Sequence, residues 1–258
     1  MSFAGLAYYR YGCPSIHHQF GNMFIPQYTF AQAGVEYTKY PGRLSTLNHI
    51  AAVKHLLSML RDKNTDTVAF RQYSDRIMRL LLEEAIAQDL KVEKRRSPTG
   101  DEYDHYHVNN DDYAAVTIIR AGDSMLGEVF NMIPGISIGK VLIQRDESTK
   151  EKTPIFYYSK LPDNIADKKR VFILDPMCGT GGSATMCIQK LLESGVKEEA
   201  ITFINLVSCD RGISKVLDDY PKVRMLTAAV DPILNNHRYI APGIGDFGDR
   251  YFGSKLPQ

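Results

Sequence analysis

From residue 113 onward, short apolar runs alternate with helical patterns, and this alternation constrains the fold more than any other feature of the chain. The runs are Ala115–Ile119, Val141–Gln144, Ile155–Tyr158, Val171–Leu174, Ile201–Val207 and Val223–Thr227. Helical spacing fits 182–194, ended by Gly195, and 211–219, ended before Pro221. Near-continuous apolar strands separated by helical crossovers specify an α/β fold, a parallel sheet with helices on both faces. Such sheets bind ligands at the carboxyl ends of their strands. The loops after Ile119, Gln144, Leu174, Val207 and Thr227 are therefore the expected place for chemistry.

Upstream, residues 1–42 are rich in Tyr, Gly, Gln and His without a sustained period, and Pro41-Gly42 closes them with a turn signal. They read as an N-terminal extension to a domain spanning 43–258. Ser45 is the expected N-cap of a helix carrying Leu47, Ile50, Leu56, Leu57 and Leu60, and a second helix is expected over 68–90. The polar stretch from Lys91 to Asp112 reads as a solvated loop or hairpin. His105 and His107 would share a face there, at metal-ligand spacing, but no Cys or third His lies near them in sequence.

Composition narrows the class. The 258 residues are 44% apolar, and 31 basic against 30 acidic side chains leave a net charge of +1. A chain of this length buries roughly three quarters of its unfolded surface and needs no staples. Near-neutrality gives no global field for a polyanion, so nucleic acid is not an expected partner. Cys13, Cys178, Cys187 and Cys209 have no C-x-x-C spacing and read as thiols in a reducing compartment. No run approaches the roughly 18 apolar residues of a membrane span, and the N-terminus lacks the pattern of a signal peptide. The expected location is the cytoplasm, with no membrane contact.

The strongest local signal is Val171-Phe172-Ile173-Leu174-Asp175-Pro176-Met177-Cys178-Gly179-Thr180-Gly181-Gly182-Ser183-Ala184. A buried strand delivers an acid at its tip, and small residues then open a helix. Glycines admit a ligand close to the backbone, the helix start offers free N–H groups, and Thr180 and Ser183 add hydroxyls, all of which suit a phosphate monoester. Taken alone, the loop fits either phosphoribosyl transfer or the Asp-Pro-x-Cys-Gly-x-Gly loop of adenosylmethionine-dependent methyltransferases. The Pro-Pro pair usual in amine methylation occurs nowhere in the chain.

The segment Tyr239-Ile240-Ala241-Pro242-Gly243-Ile244-Gly245-Asp246-Phe247-Gly248-Asp249-Arg250-Tyr251-Phe252-Gly253 separates the two. Its four glycines and two acids predict a fixed loop rather than a helix or strand. Here the chain resembles the uracil phosphoribosyltransferases, whose uracil loop reads Tyr-Ile-x-Pro-Gly-x-Gly-Asp-x-Gly-Asp-x-x-Phe-Gly. The resemblance runs from Thr117 to Gly253 and more faintly back to about residue 45. It implies a type I phosphoribosyltransferase fold with a small hood built from N-terminal and C-terminal segments.

Carried over by position, the resemblance implies one site. Asp175, Pro176, Met177, Cys178, Gly179, Thr180, Gly181, Gly182 and Ser183 form the phosphoribosyl pyrophosphate (PRPP) loop. Gly179 stands where the family more often has Ala. Arg120-Ala121-Gly122 resembles the pyrophosphate loop and Arg145-Asp146-Glu147 the flexible-loop arginine motif; a guanidinium can fork two phosphate oxygens. Tyr239, Ile240, Gly245, Asp246 and Phe247 would hold uracil, mainly through main-chain groups of Ile240, Gly245 and Phe247. Such a site rejects cytosine, whose amine reverses the pattern at O4. Arg145, Asp175 and Asp246 are the implied catalytic residues, and Asp246 the implied ligand of Mg²⁺, direct or through water. Arg76 falls at one position of a basic site through which some members bind GTP, while the preceding basic position is Thr67.

The implied reaction is uracil plus PRPP giving UMP and diphosphate, in a homodimer or homotetramer. No side-chain nucleophile is needed, and Cys178 reads as a packing residue. Two competing readings are a member that binds without turnover and the methyltransferase. A kinase fusion is excluded because no G-x-x-x-x-G-K-[ST] occurs.

Overall fold

The computed structural model describes residues 39–146 and 153–254. Most of the expected extension, with Cys13, lies outside the described residues, as does Glu147 of the arginine motif.

In chain order the elements are β1 (Leu44–Thr46), α1 (Ala51–Arg61), α2 (Thr67–Ala87), β2 (Lys91–Arg96), β3 (Glu102–His107), β4 (Tyr113–Ile119), α3 (Leu126–Met132), β5 (Ser137–Arg145) and β6 (Pro154–Lys160). They continue with β7 (Arg170–Leu174), β8 (Met177–Cys178), α4 (Gly182–Glu193), β9 (Ile201–Cys209), α5 (Asp210–Asp219), β10 (Arg224–Asp231), β11 (Ile233–Leu234), β12 (Ile240–Ala241) and α6 (Phe247–Phe252). The main sheet has the order β1-β10-β9-β7-β4-β5-β6, with β8 pairing to β9 off that path.

Every residue of β7 and β9 is buried, as expected for strands covered on both faces. Alternate side chains serve two cores. Phe172 and Leu174 join the layer under α1, α2 and α3, while Val171 and Ile173 join the layer under α4 and α5.

Four local expectations are corrected. Ser45 caps no helix: it sits in β1, parallel to β10, and α1 begins after Ile50 without a side-chain cap. The open edge of β10 supplies ladder partners that outweigh the helical signal of three residues. The second helix stops at Ala87, because Asp89 turns back to accept bonds at 2.8 Å from both Nε and Nη2 of Arg170 in β7. Strand β6 is antiparallel to β5, since so short a connection cannot make a crossover. The C-terminal segment is not loop throughout: β12 pairs with β11, and α6 is capped by Asp246, whose Oδ1 accepts from the Asp249 N–H at 2.9 Å.

The polar stretch after α2 is the hairpin β2–β3, with the His105 and His107 rings stacked 5.6 Å apart. A hood covers one end of the sheet, where the C-terminal segment packs on α1 and α2. Phe247 meets Phe70 with ring centroids 5.5 Å apart, and Tyr251 donates its hydroxyl to Asp75 at 2.7 Å. Arg71 donates from Nε and Nη2 to the Tyr251 carbonyl, and Arg250 reaches the Ile244 and Asp62 carbonyls at 2.7 and 2.8 Å. Among the described residues no helix is long and apolar enough to cross a membrane.

Candidate active site

The carboxyl ends of β4, β5 and β7 open into a cleft of about 700 Å³ roofed by the C-terminal segment. Its lining brings together Arg120, Arg145, Asp175, Met177, Gly179 and Ser183 from the sheet side. Tyr239, Ile240, Gly245, Asp246 and Phe247 come from the hood. Segments more than a hundred residues apart in sequence thus face one space.

Asp175 owes its position to a break in the strand. After Leu174 the ladder to β9 is interrupted, because Pro176 has no N–H to donate; its carbonyl instead accepts from Leu206 and Val207 at 2.9 and 3.1 Å. Pairing resumes with Met177 opposite Val207. Burial pushes the Asp175 carboxyl up to about 7, against the opposing pull of the Arg145 charge and the Met177 N–H.

The loop then turns into α4 through Gly181, whose φ of +77° is left-handed and whose added Cβ would come within 2.8 Å of the Gly212 carbonyl. Only glycine meets both demands. Gly181 has no side chain with which to cap α4, and the Gly182 N–H donates at 3.5 Å to Thr180 Oγ1 in the loop. Pro176, Cys178, Thr180, Gly181 and Gly182 belong to this loop but do not line the cleft. Cys178 is buried, and burial pushes its thiol well above the usual range, in keeping with a packing role.

Arg120 follows β4, and the Ile119–Arg120 peptide is cis. Its Nη2 donates to Asp249 Oδ1 at 2.8 Å and its Nη1 to Ser254 Oγ at 2.7 Å. Asp249 is therefore the link between this arginine and the hood. The cap of α6 is Asp246, with one carboxylate oxygen so used.

The hood loop is pinned from behind by an ion pair invisible in sequence. Arg61 of α1 donates to both carboxylate oxygens of the buried Asp231 at 2.8 and 2.7 Å and to the Gly243 carbonyl at 2.9 Å. Asp231 also accepts from the Gly243 N–H at 2.8 Å. Gly243 has φ +60°, and a Cβ there would overlap the Ile240 carbonyl.

Ala121 of the pyrophosphate-loop resemblance also lines the cleft, and two polar lining residues, Gln144 and Arg238, have no place in the motif reading. Arg238 follows three polar residues and directly precedes the Tyr-Ile motif, which is its one sequence signal. Arg76, by contrast, is exposed on α2 with its guanidinium 6.0 Å from the Tyr73 ring centroid, outside the cleft lining.

Comparison with known proteins bears on the family of the chain. A family model described as uracil phosphoribosyltransferase matches residues 47–254. The uracil phosphoribosyltransferase of Dictyostelium discoideum is 42% identical over 217 residues, covering 84% of this chain and 99% of the relative. That of Saccharomyces cerevisiae is 43% identical over 199 residues, covering 76% and 90%. Among solved structures, the AQ2163 protein from Aquifex aeolicus superposes with a TM-score of 0.70 at 26% identity, over 83% of this chain and 99% of that one. A match spanning both the sheet that carries Asp175 and the hood that carries Asp246 leaves one assignment: the chain belongs to the uracil phosphoribosyltransferase family.

Proposed function

We propose that the chain catalyses uracil + PRPP → UMP + diphosphate, a step of pyrimidine salvage. One observation carries the reading: a loop suited to a phosphate monoester and a main-chain-rich loop suited to a planar base face each other across a single cleft.

In this reading the 5′-phosphate sits on Gly179-Thr180-Gly181-Gly182-Ser183, against the first N–H groups of α4. Pro176, Met177 and Cys178 set the path of that loop. Asp175 accepts from the ribose hydroxyls, and its ionised form steadies positive charge as C1′ becomes cation-like. Arg120 and Arg145 take up charge on the departing diphosphate. Tyr239, Ile240, Gly245 and Phe247 orient the base so that N1 faces C1′. Catalysis is positioning and charge stabilisation, without a nucleophilic side chain.

Mg²⁺ fits the donors present. Asp175 and Asp246 line the cleft as hard oxygen donors, and no group of three or more metal-ligating side chains occurs among the described residues. That suits an ion held by one or two carboxylates together with substrate oxygens and water. Asp246, through the carboxylate oxygen not used in its cap, would hold it directly or through water. When bound, Mg²⁺ neutralises charge on the diphosphate.

The proposal takes 43–258 as the catalytic unit, with 1–42 appended, working in the cytoplasm as a homodimer or homotetramer. GTP control would run through Arg76 alone, since Thr67 supplies no second cation; unchanged rate and sedimentation with GTP would remove it. The test of turnover against binding alone is release of diphosphate. Uracil added to the PRPP-loaded protein should release it, whereas a binder without turnover would gain thermal stability from ligand and release none.

A further inference from the structure

Arg238 stands apart from the other arginines around the hood. Arg61 is neutralised by Asp231, Arg120 by Asp249, and Arg250 is spent on backbone carbonyls. Arg238 lines the cleft half-buried, and among the described residues its guanidinium has neither a hydrogen-bond nor an ion-pair partner. Its neighbours Asn235, Asn236, His237 and Tyr239 are all exposed. A guanidinium at the wall of a cleft, with no protein acceptor engaging it, keeps all its donors for a bound anion.

The backbone adds a second observation. Arg238 has φ +62°, and among the described residues it is the one non-glycine in the left-handed region. A residue with a Cβ avoids that region unless its surroundings over-determine it. Here they do: Asn235 Oδ1 accepts from the N–H groups of His237 and Tyr239 at 2.9 and 3.0 Å, and the Arg238 N–H donates to the Asn235 carbonyl at 2.8 Å. The turn between β11 and β12 is built to hold this residue in a conformation glycine would adopt more cheaply, while a long cation fills the position.

We propose that Arg238 is a substrate-binding residue for the diphosphate of PRPP, a third guanidinium beside Arg120 and Arg145. This rests on the transfer reading given above. The charge balance of the cleft points the same way, with three guanidiniums against Asp175 and Asp246. In that reading the 5′-phosphate is served by the loop before α4, and uracil is neutral and read by main-chain groups. The diphosphate is the part of the substrates whose charge calls for another cation, and Arg120 already shares its donors with Asp249 and Ser254.

Arg238→Gly removes the side chain while leaving a residue at ease at this φ, so the fold is kept. Calorimetry of the full chain with PRPP and Mg²⁺, without uracil, should show affinity weakened about tenfold or more, as for a lost charge-assisted hydrogen bond. KM for PRPP should rise in step, and KM for uracil at saturating PRPP should not move. UMP, which lacks the diphosphate, should bind within about twofold of wild type, the melting temperature should hold or rise, and Arg238→Lys should recover part of the loss. Unchanged PRPP affinity in Arg238→Gly would overturn the proposal, as would equal losses for PRPP and UMP with a raised uracil KM, which would make Arg238 a base-side residue. Should wild-type protein bind PRPP without forming UMP, the transfer reading fails while the binding comparison still decides the role of Arg238. Should it bind no PRPP, both fall.

Discussion

Arg120 and Asp249 join the two halves of the cleft: the arginine that follows β4 donates at 2.8 Å to a carboxylate on the first turn of α6. The same turn is capped by Asp246, so the carboxylate that holds Arg120 and a carboxylate that lines the cleft share one short helix. Asp249 thereby positions Arg120 against the hood.

Asp249→Asn should leave the fold nearly untouched, because the arginine is half exposed and such pairs contribute at most about 1 kcal/mol. Binding should suffer more. An Arg120 no longer held towards the cleft should raise KM for PRPP several-fold, by about 1 kcal/mol of lost positioning, with kcat less affected. Steady-state kinetics beside a melting curve checks both halves of this expectation.

Asp175 makes stability depend on pH in a direction opposite to most carboxylates. Burial lifts its folded value to about 7 from an ordinary 3.8, so between those values the folded chain holds more protons than the unfolded one. Its contribution is therefore favourable at low pH and is lost as pH rises from about 4 through 7. Urea titrations from pH 5 to 8 should show wild type losing stability relative to Asp175→Asn, with the gap flattening above pH 8. A gap that does not change with pH would mean that the carboxyl is not held protonated.

Removing Asp231 should damage the hood from a distance. It is buried with its charge opposite Arg61, and deleting one partner of such a pair costs about 3–5 kcal/mol. Asp231→Ala should lower the melting temperature and, since Gly243 loses its anchor, raise KM for uracil more than KM for PRPP. The kinetic split distinguishes loss of the anchor from general destabilisation.

Cys178 should prove dispensable for turnover despite its place in the loop. With the thiol buried and its ionisation suppressed, alkylating reagents should react slowly in the native state. Cys178→Ala should keep kcat within a few-fold at a stability cost of about 1 kcal/mol for the small cavity.

Much of this was legible in the sequence, for identifiable reasons. The runs at 171–174 and 201–207 are so continuously apolar that only a sheet covered on both faces can absorb them. The phosphate-type loop is contiguous, so its small residues and hydroxyls can be read in order. What escaped depended on distance. Thr46 and its neighbours form a strand because of β10, almost two hundred residues away. The Arg61–Asp231 anchor joins α1 to β10 with no local mark at either end. Asp246 and Asp249 are both visible as acids, but which caps α6 and which holds Arg120 is settled by the helix that forms there, which the glycines at 243, 245 and 248 conceal. Arg238 has only its place before the Tyr-Ile motif to mark it in the sequence, and the backbone angle that singles it out is not carried by composition.

The central claim is that the two loops of the cleft act together on uracil and PRPP. Its most direct test is the conversion of labelled uracil by the purified full chain with PRPP and Mg²⁺, run beside cytosine and magnesium-free controls. The account predicts UMP and diphosphate in equal amounts from uracil, none from cytosine, and loss of product in Asp246→Asn with the melting curve retained. Well-folded protein that binds PRPP yet forms no UMP, or forms product equally well from cytosine, would contradict it.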